Sequence, residues 1–389
     1  MGPDAPPTGL AAGIGVSARV TSRLRCPSCA WEGPADPRTW RCPSCAGPLD
    51  FAPAGDDRDE GGPLAGAGVW RYASWIGLAT PLSLGEPTTP LVTFATPDGP
   101  VTLKHDGLLP TGSFKDRGAA TLVAWLAAHD VERVVVDSSG NAGAAMAAYC
   151  ARAGIACEVL VPADASAAKL AQAEACGATV VRVSGSRAAA TDRALERAAD
   201  GDAVYASHKW SPAFLVGTAT LAYELWEQGG GTLPDAIVLP VGAGTLALGL
   251  AAGIEALLRA GRVERAPRLL GVQSTGCAPV AAAFGRALPG GEPSVLAEGI
   301  QIVAPPRLGQ LVAALARSGG GCLAVGDAEI RDAAARLAHA GILVEPTSAV
   351  ALAGLTRARR EGLVSDAEHV AVVLTGNGLK TLGASSHAT

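Results

Sequence analysis

The chain has 389 residues, of which 49% are hydrophobic and 17% charged, a composition typical of packed globular domains. Its length predicts two or three domains. The net charge is −5 and only 4% of the residues are aromatic, so the chain lacks the basic surface and the stacking side chains of nucleic-acid-binding proteins.

A secretion signal consists of a basic segment followed by an apolar one, and the N-terminal residues lack this pattern. We therefore expect a cytoplasmic protein. Residues 1–22 are rich in Pro, Gly and Ala and predict a flexible tail. The uncharged stretch 237–254 has the length of a membrane helix. Pro240 and Gly242 divide it into a strand, a turn and a helix, so we expect no membrane span.

Two short Cys-x-x-Cys motifs lie within residues 23–50. Four thiolates at this spacing suit one tetrahedral structural metal ion, zinc ahead of iron, and the ligands are Cys26, Cys29, Cys42 and Cys45. Disulfides are the alternative, which the expected reducing compartment disfavours. The sequence therefore predicts a small four-cysteine ribbon, followed by an acidic, glycine-rich linker over 51–68.

Apolar runs then alternate with helix-like stretches. Strands are predicted at 133–137, 158–162, 179–183, 236–240, 269–273 and 370–374, with helices near 169–175 and 187–199 between them. Such alternation predicts parallel strands joined by crossover helices, which is an α/β fold with helices on both faces of its sheets.

The octet 111–118 (Thr-Gly-Ser-Phe-Lys-Asp-Arg-Gly) places Lys115 where a glycine turn meets an alanine-rich helical run predicted to begin at Ala119. An enclosed lysine can form a Schiff base, and pyridoxal 5′-phosphate (PLP) is its usual carbonyl partner. The alternative is a surface lysine at a helix start.

Three further loops follow predicted strands, where open α/β sheets bind ligands. In the first, Ser138, Ser139, Gly140 and Asn141 offer hydroxyls, an amide and N–H groups to a carboxylate or another anion, although a plain helix cap has the same pattern.

The second loop is small enough for its backbone to close on a phosphate, and it consists of Val241, Gly242, Ala243, Gly244 and Thr245. Its spacing differs from that of dinucleotide-binding motifs and suits a monophosphate such as that of PLP. In the third loop, Thr375 offers a hydroxyl to a ring nitrogen.

Taken together, these loops resemble threonine synthase and its relatives among the tryptophan-synthase-β-like (fold type II) PLP enzymes. The resemblance extends from about residue 88 to 382 and includes the segments 111–118, 139–143, 217–225, 298–300, 345–349 and 375–380. It implies two open three-layer α/β/α domains of mostly parallel strands with PLP in the cleft between them. Residues 69–111 and 204–389 would form the large domain, and residues 112–203 the small one.

The resemblance also implies site roles. Lys115 would carry PLP and act as the catalytic base and acid, Asn141 would contact the ring hydroxyl, residues 241–245 the phosphate and Thr375 the ring nitrogen. Ser138, Ser139, Gly140 and Ala142 would then bind the amino-acid substrate. A homodimer is expected by the same analogy.

Two positions depart from the threonine synthase pattern. Ala142 stands where the family has a threonine, and Ala219 stands where it often has a lysine. We therefore expect weak binding of O-phosphohomoserine, and improved binding in Ala219→Lys, unless another cation takes part. The candidates are Lys104, Arg187, His208 and Lys209, although a lone histidine such as His208 is more often a satisfied polar residue.

The sequence predicts a PLP-dependent lyase, with threonine synthase as the first interpretation. A serine/threonine dehydratase and a β-replacement enzyme such as a cysteate synthase are the alternatives within this class. A PLP-binding or zinc-ribbon protein without turnover is the alternative outside it.

Overall fold

A computed structural model describes residues 17–53, 64–287 and 292–381. The chain first forms a small antiparallel sheet of β1 (Arg23–Arg25), β2 (Glu32–Pro34) and β3 (Asp50–Phe51), in the order β2-β1-β3. Most of the predicted tail and linker, 1–16 and 54–63, lies outside the described residues. The end of the tail packs on the protein, because Ala18 is buried and the Val20 N–H donates to the Ile76 carbonyl at 2.8 Å.

The remaining elements alternate as the apolar runs predict. The strands are β4 (Leu91–Thr96), β5 (Gly99–His105), β6 (Arg133–Val136), β7 (Ala156–Pro162), β8 (Thr179–Val183), β9 (Val204–Tyr205), β10 (Ala236–Pro240), β11 (Arg268–Ser274), β12 (Gly321–Val325) and β13 (Val370–Leu374). The α-helices are α1 (Ala73–Ile76), α2 (Lys115–Ala127), α3 (Asn141–Ala153), α4 (Ala167–Ala175), α5 (Arg187–Ala199), α6 (Pro212–Gln228), α7 (Thr245–Arg259), α8 (Pro279–Ala283), α9 (Leu308–Arg317), α10 (Asp327–His339) and α11 (Pro346–Arg360).

The larger sheet has six strands in the order β12-β11-β10-β13-β5-β4, all parallel to their neighbours except the β4–β5 hairpin. Successive residues of its central strands point to opposite faces. Ile237 and Leu239 pack with α6, α7 and α9, and Val238 packs with α10 and α11. Helices on both faces make this a three-layer unit.

The smaller sheet has four parallel strands in the order β8-β7-β6-β9. Val134 and Val136 pack with α2 and α3, whereas Val135 packs on the face that carries α5. Because β9 (Val204–Tyr205) pairs with β6, this sheet extends past residue 203, where the sequence placed the end of the small domain. The predicted α/β fold of mostly parallel strands is confirmed, with one mixed and one parallel sheet.

The ribbon shares its core with the small sheet. Leu24 and Phe51 belong to the same apolar cluster as α2, and the Phe51 ring meets Trp125 edge to face at 5.4 Å. On the other side, Trp40 contacts the rings of Tyr205 and Trp210, each at 5.1 Å. The ribbon is therefore joined to the α/β core.

One buried arginine ties the ribbon to the larger sheet. The Arg307 guanidinium donates to the Asp50 carboxylate at 2.5 Å, to the Leu49 carbonyl at 2.6 Å and to the Trp210 carbonyl at 2.9 Å. Asp50 and Arg307 are both essentially inaccessible to solvent. Removing either partner would leave an uncompensated buried charge.

Candidate active site

The loop before α2 is held in place by the loop after β13. Gly112 has a φ of +82°, a conformation that favours glycine. The Phe114 N–H donates to the Thr375 carbonyl at 2.9 Å, and the Asn377 N–H donates to the Gly112 carbonyl at 2.9 Å. This pairing starts α2 at Lys115, four residues before the predicted start at Ala119.

Lys115 lies between aromatic rings, with its Nζ 4.3 Å from the Phe114 ring centroid and 6.0 Å from that of Phe214. Burial lowers the pKa of Lys115 to about 8, an effect that the Glu345 carboxylate opposes and the Lys209 charge reinforces. Among the described residues, no carboxylate forms an ion pair with Lys115 within 4.0 Å. The amine is thus unusually easy to deprotonate, as a nucleophile requires.

The phosphate-type loop follows β10, the parallel neighbour of β13, so it opens at the same edge of the sheet as Thr375. A Cβ at Gly242 would lie 2.9 Å from Ile300 Cα, and one at Gly244 would lie 2.5 Å from Leu311 Cδ2. Within the described residues, the N–H groups of 242–245 donate to no protein acceptor, whereas the Val241 N–H donates to the Val272 carbonyl at 2.8 Å and is not available to a phosphate. Free N–H groups at the start of the 15-residue α7 suit a phosphate monoester.

The loop after β6 brings Ser138, Ser139 and Gly140 to the start of α3. A Cβ at Gly143 would lie only 2.0 Å from the Ser138 carbonyl oxygen, so the chain can turn here only with glycine. Ser138 and Ser139 are half-buried and Ala142 is buried.

Thr375 is fixed from both sides of its backbone. Its N–H donates to Ser348 Oγ at 2.8 Å, and its carbonyl accepts the Phe114 N–H described above. Thr375 is buried, and its hydroxyl is a donor and an acceptor for a ring nitrogen.

Glu345 was missed as a site residue by the sequence analysis. The Asn141 Nδ2 lies 3.1 Å from Glu345 Oε1 and 2.8 Å from Oε2. The only sequence signal was its place in the segment 345–349, which suggested no chemistry for it. The structure thus brings Lys115, Asn141, Thr375 and Glu345 together.

Of the four candidate cations, Lys104 is excluded. It is fully buried and donates to Glu224 at 2.7 Å, in a network that also holds Arg117 and Asp106. Ala219 is also fully buried, in the α6–α7 core, where its carbonyl lies 2.5 Å from a Cβ built on Gly253. This packing argues against a place beside the substrate, and the expectation for Ala219 stays a prediction.

His208 is buried and its Nδ1 has no partner among the described residues, so it differs from the satisfied polar residue that we expected. Burial, and then the charges of Lys115, Lys209 and Arg187, lower its pKa well below the usual range. Lys209 itself pairs with Asp137 at 2.8 Å. The imidazole of His208 is therefore neutral, and it lies close enough to Lys115, Lys209 and Arg187 for their charges to act on it.

The four predicted metal ligands converge. Their Sγ atoms all lie within 4.8 Å of one another, with Cys26 and Cys45 at 3.5 Å and Cys29 and Cys42 at 3.6 Å. A tetrahedron of Zn–S bonds of about 2.3 Å has edges of about 3.8 Å, so the cluster suits one such ion. All four are free thiols.

Comparison with known proteins shows the family of the chain. Residues 82–376 match the family of pyridoxal-phosphate dependent enzymes, and the chain belongs to this family. It is similar to several threonine synthases, which confirms the predicted family resemblance. The threonine synthase of Mycobacterium tuberculosis is 37% identical over 307 residues, covering 77% of this chain and 84% of the relative. That of Methanosarcina acetivorans is 32% identical over 375 residues, covering 92% of each chain.

Solved structures of the same fold include enzymes with other names. A threonine deaminase from T.th. has a TM-score of 0.63 at 27% identity, covering 75% of this chain and 92% of that one. An O-ureido-L-serine synthase has a TM-score of 0.62 at 21% identity, covering 76% and 90%, a likeness that concerns the fold alone. No described helix is both long and apolar enough to cross a membrane, and 237–254 forms β10, a turn and most of α7.

Proposed function

We propose that this PLP-dependent enzyme is a threonine synthase, which converts O-phospho-L-homoserine and water into L-threonine and phosphate. The observation that carries the proposal is the half-buried Lys115, which has no ion-pair partner among the described residues. Hydrogen bonds connect its loop to Thr375, and the charge of Glu345, which binds Asn141, acts on its amine. The threonine synthase relatives, which match over most of their length, support it.

PLP, when bound, supplies an electron sink for a carbanion of the amino-acid substrate. Lys115 would attach the cofactor and then take protons from substrate carbons and return them. Asn141 would donate to the ring hydroxyl, and Thr375 would face the ring nitrogen. The N–H groups of 242–245 would hold the phosphate of PLP.

The substrate carboxylate would bind at the start of α3, where Ser138, Ser139, Gly140 and Ala142 present hydroxyls and N–H groups. Lys209 and Arg187 would supply the positive charge for the substrate phosphate, since Lys104 and position 219 are committed to the core. The sequence expectation of weak O-phosphohomoserine binding therefore loses one of its two reasons.

Incubation of the purified protein with O-phosphohomoserine should release phosphate and form threonine. Serine, threonine and O-phosphoserine serve as parallel substrates, with keto acid measured in each. A dehydratase is the second candidate, because Ala142 lacks the hydroxyl of the threonine synthase pattern. Keto acid from serine or threonine, without threonine from O-phosphohomoserine, would select the dehydratase.

We further propose that Cys26, Cys29, Cys42 and Cys45 bind one structural zinc ion. Elemental analysis should find about one zinc per chain, and Cys42→Ser should lose it. Because the ribbon shares apolar contacts with α2, loss of the metal should lower the melting temperature of the whole protein. Iron in place of zinc would change the identity of the metal but keep the site, and the absence of both metals would refute the site. The cytoplasmic location and the homodimer stay predictions.

A further inference from the structure

The contact between Asn141 and Glu345 joins the two α/β units at the site. Asn141 is the first residue of α3, beside the smaller sheet, and Glu345 immediately precedes α11, which packs on the larger one. The Asn141 Nδ2 lies within hydrogen-bond distance of both Glu345 carboxylate oxygens, at 3.1 and 2.8 Å.

The position of the Glu345 carboxylate is tightly determined by its neighbours. The Glu345 N–H donates to the Gly376 carbonyl at 3.1 Å, directly after Thr375. A Cβ at Gly376 would lie 2.1 Å from Glu345 Oε2, so the carboxylate occupies space that any other residue at 376 would fill. The glycine is thus required for the carboxylate to reach Asn141.

A carboxylate accepts hydrogen bonds, and only the NH₂ end of an asparagine amide donates them. Glu345 therefore selects one of the two orientations of the Asn141 amide, with its nitrogen toward the carboxylate. The NH₂ group has two hydrogens, and when one of them is shared between the two Glu345 oxygens, the other remains for a second acceptor. An oxygen of the cofactor is such an acceptor.

We propose that Glu345 is a positioning residue for the cofactor, which orients the Asn141 amide so that its second N–H is free to donate to the ring hydroxyl of PLP. This inference rests on the proposed function, because it requires PLP at Lys115. Burial raises the pKa of Glu345, while the Asn141 hydrogen bond and the charges of Lys380 and Lys115 oppose that rise. These three groups stabilise the charged carboxylate, but burial outweighs them, so the net pKa of Glu345 lies above its usual range.

A double-mutant cycle tests the proposal on the PLP-loaded protein. Glu345→Leu should weaken PLP binding on the order of tenfold and shift the absorbance of the bound cofactor, because the amide loses its fixed orientation. Glu345→Gln should restore most of both, since its side-chain oxygen still accepts. In an Asn141→Ala background, Glu345→Leu should have no further effect.

Equal effects of Glu345→Leu in both backgrounds would overturn the proposal, because Glu345 would then act independently of Asn141. The melting temperatures of all variants show whether weaker PLP binding merely reflects a less stable fold. If the leucine variant does not fold, Glu345→Gln serves as the test. Glu158→Gln, which removes a carboxylate paired with Arg197 at 2.8 Å, is the matched control and should leave the PLP spectrum unchanged. Covalent PLP attachment to Lys115→Ala would instead show that the proposed function itself is wrong.

Discussion

Lys115 and Arg117 lie two residues apart at the start of α2, and they differ in how many carboxylates reach them. Arg117 is fully buried and donates to Asp106 at 2.7 Å and to Glu224 at 2.7 Å, next to Lys104. Lys115 has no such partner among the described residues, and burial lowers its pKa to about 8. One turn of helix thus carries a neutralised structural charge and a reactive amine.

The pKa values of the groups around Arg117 differ in the same way from that of Lys115. Burial alone would raise the pKa of Asp106, yet the charge and hydrogen bonds of Arg117 bring it below the usual range. The network therefore stays ionised inside the protein, where neutral groups would otherwise be favoured. Lys115, by contrast, has no carboxylate partner among the described residues, so its amine loses its proton easily and can react with PLP.

Replacement of Lys115 should produce the largest effect on activity. Lys115→Ala should abolish covalent PLP attachment and lower turnover by roughly 10²- to 10⁴-fold, because the proton-transfer group is lost. Its stability should change little, since the half-buried Lys115 has no ion-pair partner to lose among the described residues. Lys115→Arg keeps a charge and is the control; visible absorbance, turnover and unfolding are measured together. A yellow, active alanine variant would contradict the assignment.

Replacement of Arg117 should act on stability instead. Arg117→Met leaves Asp106 and Glu224 buried with Lys104 alone, so the free energy of unfolding should fall by about 3–5 kcal/mol. Chemical denaturation measures this change, and PLP should still attach below the midpoint. Arg193→Met, which breaks an exposed pair with Glu196 at 2.8 Å, should cost less than about 1 kcal/mol.

A lysine placed in the α6–α7 core would extend the comparison to a buried charge that has neither a carboxylate partner, as Arg117 has, nor a place in the active site, as Lys115 has. Ala219→Lys should destabilise the fold by roughly 1–3 kcal/mol from overpacking alone, and more from its charge. Ala219→Met has a similar length without the charge and separates the two terms in denaturation experiments. Unchanged stability with tighter O-phosphohomoserine binding would show that position 219 borders the substrate.

The pH dependence of PLP attachment should show the smallest effect. With a pKa of about 8, about one tenth of Lys115 is neutral at pH 7, against about one part in three thousand for an ordinary lysine. The rate of PLP binding to protein freed of cofactor should rise about tenfold from pH 7 and level off above pH 8. A rate that keeps rising to pH 10 would indicate an ordinary lysine.

Much of the fold was predictable because its signals are local. The strands β8, β10 and β13 and the helix α5 have the predicted bounds, since apolar runs and turn residues delimit them. The start of α2 at Lys115 was not predictable, because it depends on pairing with a loop about 260 residues away.

The candidate site was partly predictable for the same reason. Loops after strands could be identified, but which face of α6 carries Ala219 depends on the packing of α7. The Glu345 contact with Asn141 joins residues 204 positions apart and has no local pattern. Contacts of this kind require the folded chain.

The edge-to-face contact of Phe51 with Trp125 has a practical consequence for shortened forms of the protein. A chain beginning near Val69 would keep every residue of the two larger sheets but would expose Trp125 and the apolar side of α2. Exposed patches of this kind promote self-association. A shortened enzyme should therefore precipitate unless Trp125 and its neighbours are replaced by polar residues, whatever the fate of its catalytic groups.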